Sequence, residues 1–105
     1  MRKADVFLYD KRVGVLLELE LKKKYQFSYN ENYFGEAISL RLPTEKRVFD
    51  FEGFPPFFEG LLPEGIQLDS LIRKMKIDRD DLFLQLITVG SDLVGAVTVK
   101  SFKGK

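Results

Sequence analysis

The spacing of the hydrophobic residues changes near residue 53, and this change limits the folds open to the chain. Before it, apolar and polar residues alternate in short runs, as they do in strands with one buried face. After it, apolar residues recur every three or four positions, which is typical of amphipathic helices. Consecutive strands covered by the helices that follow would bury both kinds of apolar face. The sequence therefore predicts one α+β domain.

Alternating runs predict an antiparallel, partly barrel-like sheet of about five or six strands. The runs cover residues 4–8, 13–17, 25–29, 38–42 and 48–51, and a last run at 93–99 is expected to return to the sheet. The first two form a hairpin across Asp10 and Lys11, and the second run places Val13, Val15 and Leu17 on one face. Pro43 closes the fourth run. Gly95 in the last run predicts a bulge or a close approach by another backbone.

One short helix and two longer helices are predicted to pack with this sheet. Pro56 suits the first turn of the short helix, which we expect to carry Phe57, Phe58, Leu61 and Leu62 and to end before Pro63. The second helix has an apolar stripe three and four residues apart and basic residues near its C-terminal end. The stripe is Leu68, Leu71, Ile72 and Met75, and the basic residues are Arg73, Lys74 and Lys76.

The third helix has a clear start signal. Asp78 is predicted as its N-cap, with Asp81 three residues later, and Ile77 and Leu82 occupy the two positions of a hydrophobic staple. Gly90 is predicted to end this helix in a left-handed conformation. The cap also explains the acidic residues at 78, 80 and 81, whose spacing does not match a calcium loop.

Composition excludes several classes of function. The chain has no Cys and no His, and its 17 Lys and Arg nearly balance its 16 Asp and Glu. Disulfides, common zinc sites and histidine acid–base catalysis are therefore ruled out, and no glycine loop has a nucleotide-binding spacing. We expect no enzyme activity, no cofactor and no metal. We also expect neither a membrane span nor a secretory signal, and hence a cytoplasmic protein.

One stretch has the character of a protein contact surface. Residues 48–72 contain no Lys or Arg, and they combine acidic residues with aromatic residues, prolines and glycines. Such a surface suits a basic cleft on a partner. The predicted partner-binding residues are Phe57, Phe58, Glu59, Leu61, Leu62, Pro63, Glu64, Gly65 and Ile66. Two alternatives remain: the segment fills the core with its glutamates in water, and Ile66 begins the stripe of Leu68 and Leu71.

A nucleic-acid surface is a weaker alternative. Lys22, Lys23 and Lys24 precede the aromatic residues Tyr25, Phe27 and Tyr29, a combination that can bind single strands. However, alternation places the three aromatic residues on one face with no basic side chain among them. The core is therefore the favoured location for these aromatic residues, and a solvated turn for the lysines.

Three segments together resemble a known family. Residues 57–65, 81–86 and 89–97 look like the N-terminal small domain of HipA-type serine/threonine kinase toxins, and the hairpin containing Gly14 also fits. Family members commonly have Asn where this chain has Gly60, and often a polar residue where it has Ile66. In that family the nucleotide loop, catalytic aspartate and metal ligands lie in a separate kinase core.

The resemblance implies a function in toxin–antitoxin systems. A separate chain of this kind is similar to the HipS-like antitoxins of three-gene HipBST systems, which act on a HipT-like kinase alongside a HipB-like DNA-binding protein. We therefore expect an antitoxin that is a monomer when alone, with one domain at residues 1–100 and a flexible tail at 101–105. The alternatives are a subunit that supports the active kinase in trans and a small nucleic-acid-binding module.

Overall fold

Five antiparallel strands form one open sheet in the computed structural model, which describes residues 1–93 and 95–102. The strands are β1 (Arg2–Leu8), β2 (Lys11–Glu20), β3 (Lys24–Tyr29), β4 (Val48–Glu52) and β5 (Val97–Ser101). Their order across the sheet is β4-β3-β2-β1-β5, so β4 and β5 are the edges. Three helices complete the fold, and the predicted α+β class is confirmed.

Alternation identifies the core faces of β1 and β3 correctly. Ala4, Val6 and Leu8 are buried on β1, and Tyr25, Phe27 and Tyr29 are buried on β3. Phe27 lies opposite Leu16 of β2 and Phe49 of β4, so the aromatic residues meet at the centre of the sheet.

The predicted face of β2 is wrong beyond Val13. Val6 pairs with Gly14 and Phe7 pairs with Arg12, so Val13 is an extra residue in β2. Such a bulge reverses the facing of the residues that follow it. Leu16 and Glu18 therefore face the core and are buried, whereas Val15 and Leu17 are only half-buried.

The strand predicted at residues 38–42 is absent from this segment, which forms turns and bends. Ile38 and Leu42 are buried but Leu40 is fully exposed, which is incompatible with the single face that a strand would give them. The hydroxyl of Tyr29 accepts a hydrogen bond from the Ile38 N–H and donates one to the Leu42 carbonyl. A buried side chain, and not a neighbouring strand, thus organises this loop.

The helices are α1 (Pro56–Glu59), α2 (Gly65–Met75) and α3 (Leu82–Val89). Pro56 is the first residue of α1, as predicted. However, α1 ends before Leu61, because Leu61 and Leu62 follow in a turn whose N–H groups donate to Phe58 and Glu59 carbonyls. Gly65 and Ile66, expected in a turn, form the start of α2. No helix among the described residues is long and apolar enough to cross a membrane.

The start of α3 is three residues later than predicted. Asp81, and not Asp78, is the N-cap, and its side chain accepts a hydrogen bond from the Leu84 N–H at 3.2 Å. Ile77 and Leu82 therefore do not occupy the positions of a hydrophobic staple. Asp81 also forms an ion pair with the distant residue Arg2, which local sequence does not reveal.

Gly90 ends α3 as predicted, but its predicted left-handed conformation is wrong. Gly90 is right-handed, with φ −60°, and continues into a short 3₁₀ turn at Gly90–Asp92. Gly95 has φ +117°, and no backbone of the other described residues lies within 4 Å of where its Cβ would be, so the predicted close approach is wrong. The last strand begins only at Val97, while Val94 lies outside the described residues. Of the predicted tail, Ser101 ends β5, the Phe102 N–H donates to the Lys3 carbonyl, and residues 103–105 lie outside the described residues.

Candidate partner-binding site

The segment of residues 57–66 covers the end of α1, the connecting turn and the start of α2. Its side chains fall into three groups by exposure. Phe58 is fully buried; Phe57, Leu61, Leu62 and Pro63 are half-buried; and Glu59, Glu64, Gly65 and Ile66 are exposed. The alternative that the segment fills the core with its glutamates in water therefore holds for Phe58 and, in part, for Phe57, Leu61 and Leu62, which pack against the core.

The two phenylalanines of α1 have different positions. Phe58 packs into the core, with its ring centroid 5.7 Å from that of Phe27. Phe57 meets Phe58 edge to face at 5.2 Å and lies on the outer side of α1. There it borders a cavity of about 620 Å³, which Leu42, Phe51 and Pro56 also line. Phe58 is therefore not accessible to a partner, whereas Phe57 is.

The turn between α1 and α2 presents apolar side chains on a tightly bonded backbone. The Leu61 and Leu62 N–H groups donate to the carbonyls three residues earlier, each at 3.1 Å. Gly65 then adopts φ +61°, a conformation that a residue with Cβ rarely adopts. Leu61, Leu62 and Pro63 border a cavity of about 490 Å³ that reaches Val89 and Leu93. The turn therefore leaves part of three apolar side chains at the surface, beside the start of α2.

Ile66 lies on the solvent side of α2 and is 84% exposed. At about 100° per residue, it lies about 180° around the helix from the middle of the apolar stripe, which consists of Leu68, Leu71, Ile72 and Met75. Asp69, Ser70 and Arg73, at three, four and seven residues further on, share its face and are exposed. The alternative that Ile66 begins the core stripe is therefore wrong.

The helix α2 is less buried than the other helices and the strands. None of its residues is buried. Leu68, Leu71 and Ile72 of its stripe are half-buried, and Met75 is 50% exposed. Its C-terminal end carries the predicted basic residues Arg73 and Lys74, and Lys76 follows in a left-handed conformation. Glu59 and Glu64 thus make the N-terminal side of α2 acidic. The C-terminal end of α2 is basic.

An ion-pair network holds α3 on the sheet beside the site. The Arg2 guanidinium donates to Glu18 of β2 at 2.6 and 2.8 Å and to Asp81, the cap of α3, at 2.8 and 3.2 Å. Burial by itself would raise the pKa of Glu18, but hydrogen bonds from Arg2 and the Lys22 N–H hold this pKa below its ordinary value. The pKa of Asp81 is lowered in the same way.

Burial and the Glu18 carboxylate raise the pKa of Tyr25 to about 12. The Tyr25 hydroxyl donates to Glu18 at 3.2 Å, and the Tyr25 ring stacks on Phe83 of α3 at 6.3 Å. Tyr25 therefore belongs to the ion-pair network, and its ring lies in the core.

The lysine turn does not form a basic aromatic surface. Tyr25, Phe27 and Tyr29 are buried, so their faces are not available for base stacking. Lys22 Nζ lies 3.3 Å from Asp80 and 3.7 Å from Asp78, so one of the three lysines is paired with acidic residues. Among the described residues, no group of three or more His, Cys, Asp or Glu side chains could hold a metal ion.

Sequence reasoning missed two features near the site. One is the apolar cavity beside Phe57, which depends on Leu42 in a loop that was predicted to be a strand. The other is Gln85, which is fully buried on α3 and has an amide oxygen without a described hydrogen-bond donor. The only sign of Gln85 in the sequence was that it is a polar residue at an inner position of the predicted third helix.

Comparisons with known proteins agree with this geometry. A solved structure described as "N-terminal domain of HipA toxin" matches the whole chain and 96% of its own length, with a TM-score of 0.77 and 29% identity. An uncharacterized protein of Haemophilus influenzae is 34% identical over 103 residues, covering 98% of this chain and 95% of that protein. "Putative kinase Y4dM" of Sinorhizobium fredii is 34% identical over 110 residues, but the chain covers only 27% of it.

The fold and the solved structure define a small α+β domain similar to the N-terminal domain of the HipA toxin. The chain belongs to the HipA N-terminal domain family, whose family model matches residues 4–100. Its role is therefore related to toxin–antitoxin systems, and the resemblance inferred from the three sequence segments is confirmed.

Proposed function

We propose that the chain is a non-enzymatic antitoxin that binds and inhibits a HipT-like serine/threonine kinase. In this proposal, residues 61–66 enter or adjoin the cleft between the two lobes of the kinase. The partnership is a heterodimer, which joins a HipB-like DNA-binding protein in a larger complex. Membership of the HipA N-terminal domain family supports a kinase toxin as the partner.

The observation that carries the proposal is the position of Ile66. An apolar residue that is 84% exposed, on the polar face of an amphipathic helix, contributes nothing to the core of the monomer. It lies next to a turn with three half-buried apolar residues, Leu61, Leu62 and Pro63. The exposed glutamates Glu59 and Glu64 flank these three residues. Apolar anchors surrounded by charged residues are typical of the centre and rim of a protein interface.

Ile66→Asp tests the proposed interface. The test uses a purified HipT-like kinase, and its affinity for this chain is measured by calorimetry. We expect a loss of thirtyfold or more, because truncating a buried apolar anchor costs about 2 kcal/mol and a buried charge adds to that cost. Leu21→Asp is the matched control, since Leu21 is 65% exposed but lies in the turn between β2 and β3.

The monomer itself should tolerate Ile66→Asp because the side chain is in solvent, and a denaturation curve checks this. Unchanged affinity in the folded variant would reject the site. Equal losses in Ile66→Asp and Leu21→Asp would show a general effect of added charge.

A second candidate function is support of the active kinase in trans. The relative of which this chain covers 27% supports this alternative, because there the same domain belongs to a longer chain whose name describes a kinase. Kinase assays with and without this protein distinguish the two functions. Inhibition favours the antitoxin, and stimulation favours the supporting subunit.

A further inference from the structure

The edge strand β4 has one side without a neighbouring strand. The Tyr29 N–H donates to the Arg47 carbonyl at 3.0 Å, and the Gly53 N–H donates to the Lys23 carbonyl at 2.7 Å. These two bonds flank β4, so its odd-numbered residues direct their N–H and C=O groups to β3. Backbone groups alternate between the two sides of an antiparallel strand, and the even-numbered residues of β4 therefore direct theirs away from the sheet. Among the described residues, no strand pairs with that side.

The free side of β4 belongs to Val48, Asp50 and Glu52. All three residues are exposed, so the way to their backbone groups is open. Each residue supplies one N–H donor and one C=O acceptor. An unpaired edge of this kind is a template on which another extended chain can pair.

An apolar cavity lies beside the C-terminal end of this edge. It is the cavity of about 620 Å³ next to Phe57, which Leu42, Phe51 and Pro56 also line. No residue of β3 lines it, so the cavity lies on the outer side of β4. Phe51 packs against the core, and a strand added beside β4 would place the side chain opposite Phe51 on the same face. The cavity can therefore accept an apolar side chain from an added strand.

The opposite face of β4 is acidic. Asp50 and Glu52 are exposed there, and neither has an ion pair among the residues that the structure describes. Asp50 accepts a hydrogen bond at 2.8 Å from the neutral amide of Gln26, and Lys24 lies opposite Glu52 without forming an ion pair with it. Arg41, in contrast, borders the cavity. An added strand would thus be stabilised by basic side chains on the acidic face and by apolar side chains on the cavity face.

A second copy of this chain does not meet these requirements. Antiparallel pairing of two β4 strands along their whole length would place the two Asp50 side chains opposite each other. A shift toward the C-terminal end would place Asp50 opposite Glu52. Like charges that lie directly opposite destabilise a strand pair, and edge strands commonly carry charged residues that prevent such pairing. The acidic residues therefore disfavour a copy of this chain and favour a basic strand.

We propose that the edge of β4 binds an extended segment of another protein in which basic and apolar residues alternate. The segment is antiparallel to β4, as are all the described strand pairs of the sheet. Its basic residues lie opposite Asp50 and Glu52, and their backbone groups bond to the free side of β4. Its apolar residues lie on the cavity face. Main-chain bonds then provide affinity, and the alternating side chains provide specificity.

This surface is an addition to the proposed function and does not depend on it. The cavity shares only Phe57 with the residues that the sequence predicts to bind a kinase. The edge therefore provides a second docking surface, on another side of the α1 helix from the turn at residues 61–66.

The first experiment titrates the isolated chain with a capped six-residue peptide in which lysine alternates with leucine. We expect saturable NMR shifts that are largest at the amides of Val48, Asp50 and Glu52, with roughly millimolar affinity. Two further peptides have the same charge but carry backbone N-methyl groups, either on the lysines or on the leucines. In the proposed register, the lysine N–H groups bond to β4 and the leucine N–H groups point away.

Methylation of the lysines should weaken binding by about tenfold or more, and methylation of the leucines by less than about threefold. No saturable shift with the unmethylated peptide would overturn the proposal. Equal weakening by the two methylations, or greater weakening by methylation of the leucines, would also overturn it.

The second experiment reverses the charge of the edge with the double variant Asp50→Lys and Glu52→Lys. We expect this variant to prefer a peptide in which glutamate replaces lysine, by about tenfold or more over the lysine peptide. Its matched control is Glu20→Lys with Glu31→Lys, the same change of charge at two exposed residues outside β4 and outside the cavity. The control should still prefer the lysine peptide. Reversed preference in both double variants would show a general charge effect and overturn the proposal.

The outcomes are independent of the proposed function because neither experiment contains a kinase. If the peptides do not bind while Ile66→Asp abolishes kinase binding, the antitoxin proposal stands and the edge site is rejected. If the peptides bind as expected and the kinase does not, the edge site stands and the antitoxin proposal is rejected.

Discussion

Gly90 shows how one residue can be determined by a distant part of the chain. A Cβ at this position would lie 1.9 Å from the carbonyl oxygen of Val99 and 2.7 Å from its carbonyl carbon. Real Cβ atoms do not approach backbone so closely, and β5 would have to move. Glycine is therefore required here for space and not for a left-handed φ, since its φ is −60°.

Gly90→Ala should destabilise the protein by about 3 kcal/mol or more, because the end of α3 would separate from β5. Urea denaturation measures the loss. The control is Gly60→Ala, where φ is −64° and the nearest contacts of a Cβ are 3.4 and 3.5 Å. That change should stabilise the protein by about 0.4 to 1 kcal/mol. Similar effects of the two substitutions would contradict the close approach at Gly90.

At the scale of elements, Arg2 connects β1 with both β2 and α3. The Arg2 side chain is 31% exposed, but the Glu18 side chain that it contacts is only 2% exposed. Arg2 also lies 5.1 Å above the ring of Phe83. Removing Arg2 would leave Glu18 charged and buried with fewer partners, and it would leave Asp81 without its cation.

Arg2→Leu should lower the free energy of unfolding by about 3 kcal/mol, the loss expected when one partner of a buried pair is removed. Arg79→Leu is the control because its pair with Asp69 has a similar distance, 2.7 Å, but the two side chains are 65% and 50% exposed. The control should lose less than about 1 kcal/mol. Denaturation of both variants at pH 7 checks this, and equal losses would speak against a special role for the network.

The same network predicts a pH dependence. The pKa values of Glu18 and Asp81 are lower in the folded protein than the ordinary values of about 4.3 and 3.9 in unfolded chains. Their stabilisation is therefore present above those ordinary values and is lost as the pH falls through the folded ones. We expect stability to decline below about pH 5, and less steeply in Arg2→Leu. If stability fell equally below about pH 5 in the wild-type protein and in Arg2→Leu, the network would be excluded as the cause.

At the scale of the whole molecule, we expect a bound kinase partner to raise the thermal stability of the chain, and nucleotide to leave it unchanged. Phosphoryl transfer needs carboxylates that hold metal and donors around the phosphates. No described group of three acidic residues could hold a metal ion, and no glycine loop has a nucleotide-binding spacing. ATP and Mg²⁺ should therefore leave the thermal midpoint of the isolated chain unchanged, whereas a ligand of the native state would raise it.

Thermal unfolding with and without Mg²⁺ and ATP tests this expectation, in a preparation shown by mass spectrometry to contain no kinase. A rise of several degrees at micromolar ATP would show a nucleotide site. Adding the purified kinase should instead stabilise the chain if the two form a complex.

Local sequence was sufficient to determine much of this protein. Alternation identified β1, β3 and β4 and the burial of Tyr25, Phe27 and Tyr29, because a strand with one core face must repeat every two residues. The proline at position 56 and the stripe from Leu68 to Met75 located α1 and α2 for similarly local reasons. Residues 57–65, 81–86 and 89–97 indicated the family.

Only the tertiary structure decided the features that depend on residues far apart in sequence. The bulge at Val13 reverses the face of β2, the Tyr29 hydroxyl bonds to a loop where a strand was predicted, and Arg2 pairs with Asp81, the cap of α3. At the site, exposure separated Phe58 from Ile66, and the three-dimensional packing placed Gln85 beside Glu59 and Glu64. Each of these outcomes depends on which surfaces meet, and hydrophobic periodicity reports only which side of an element is apolar.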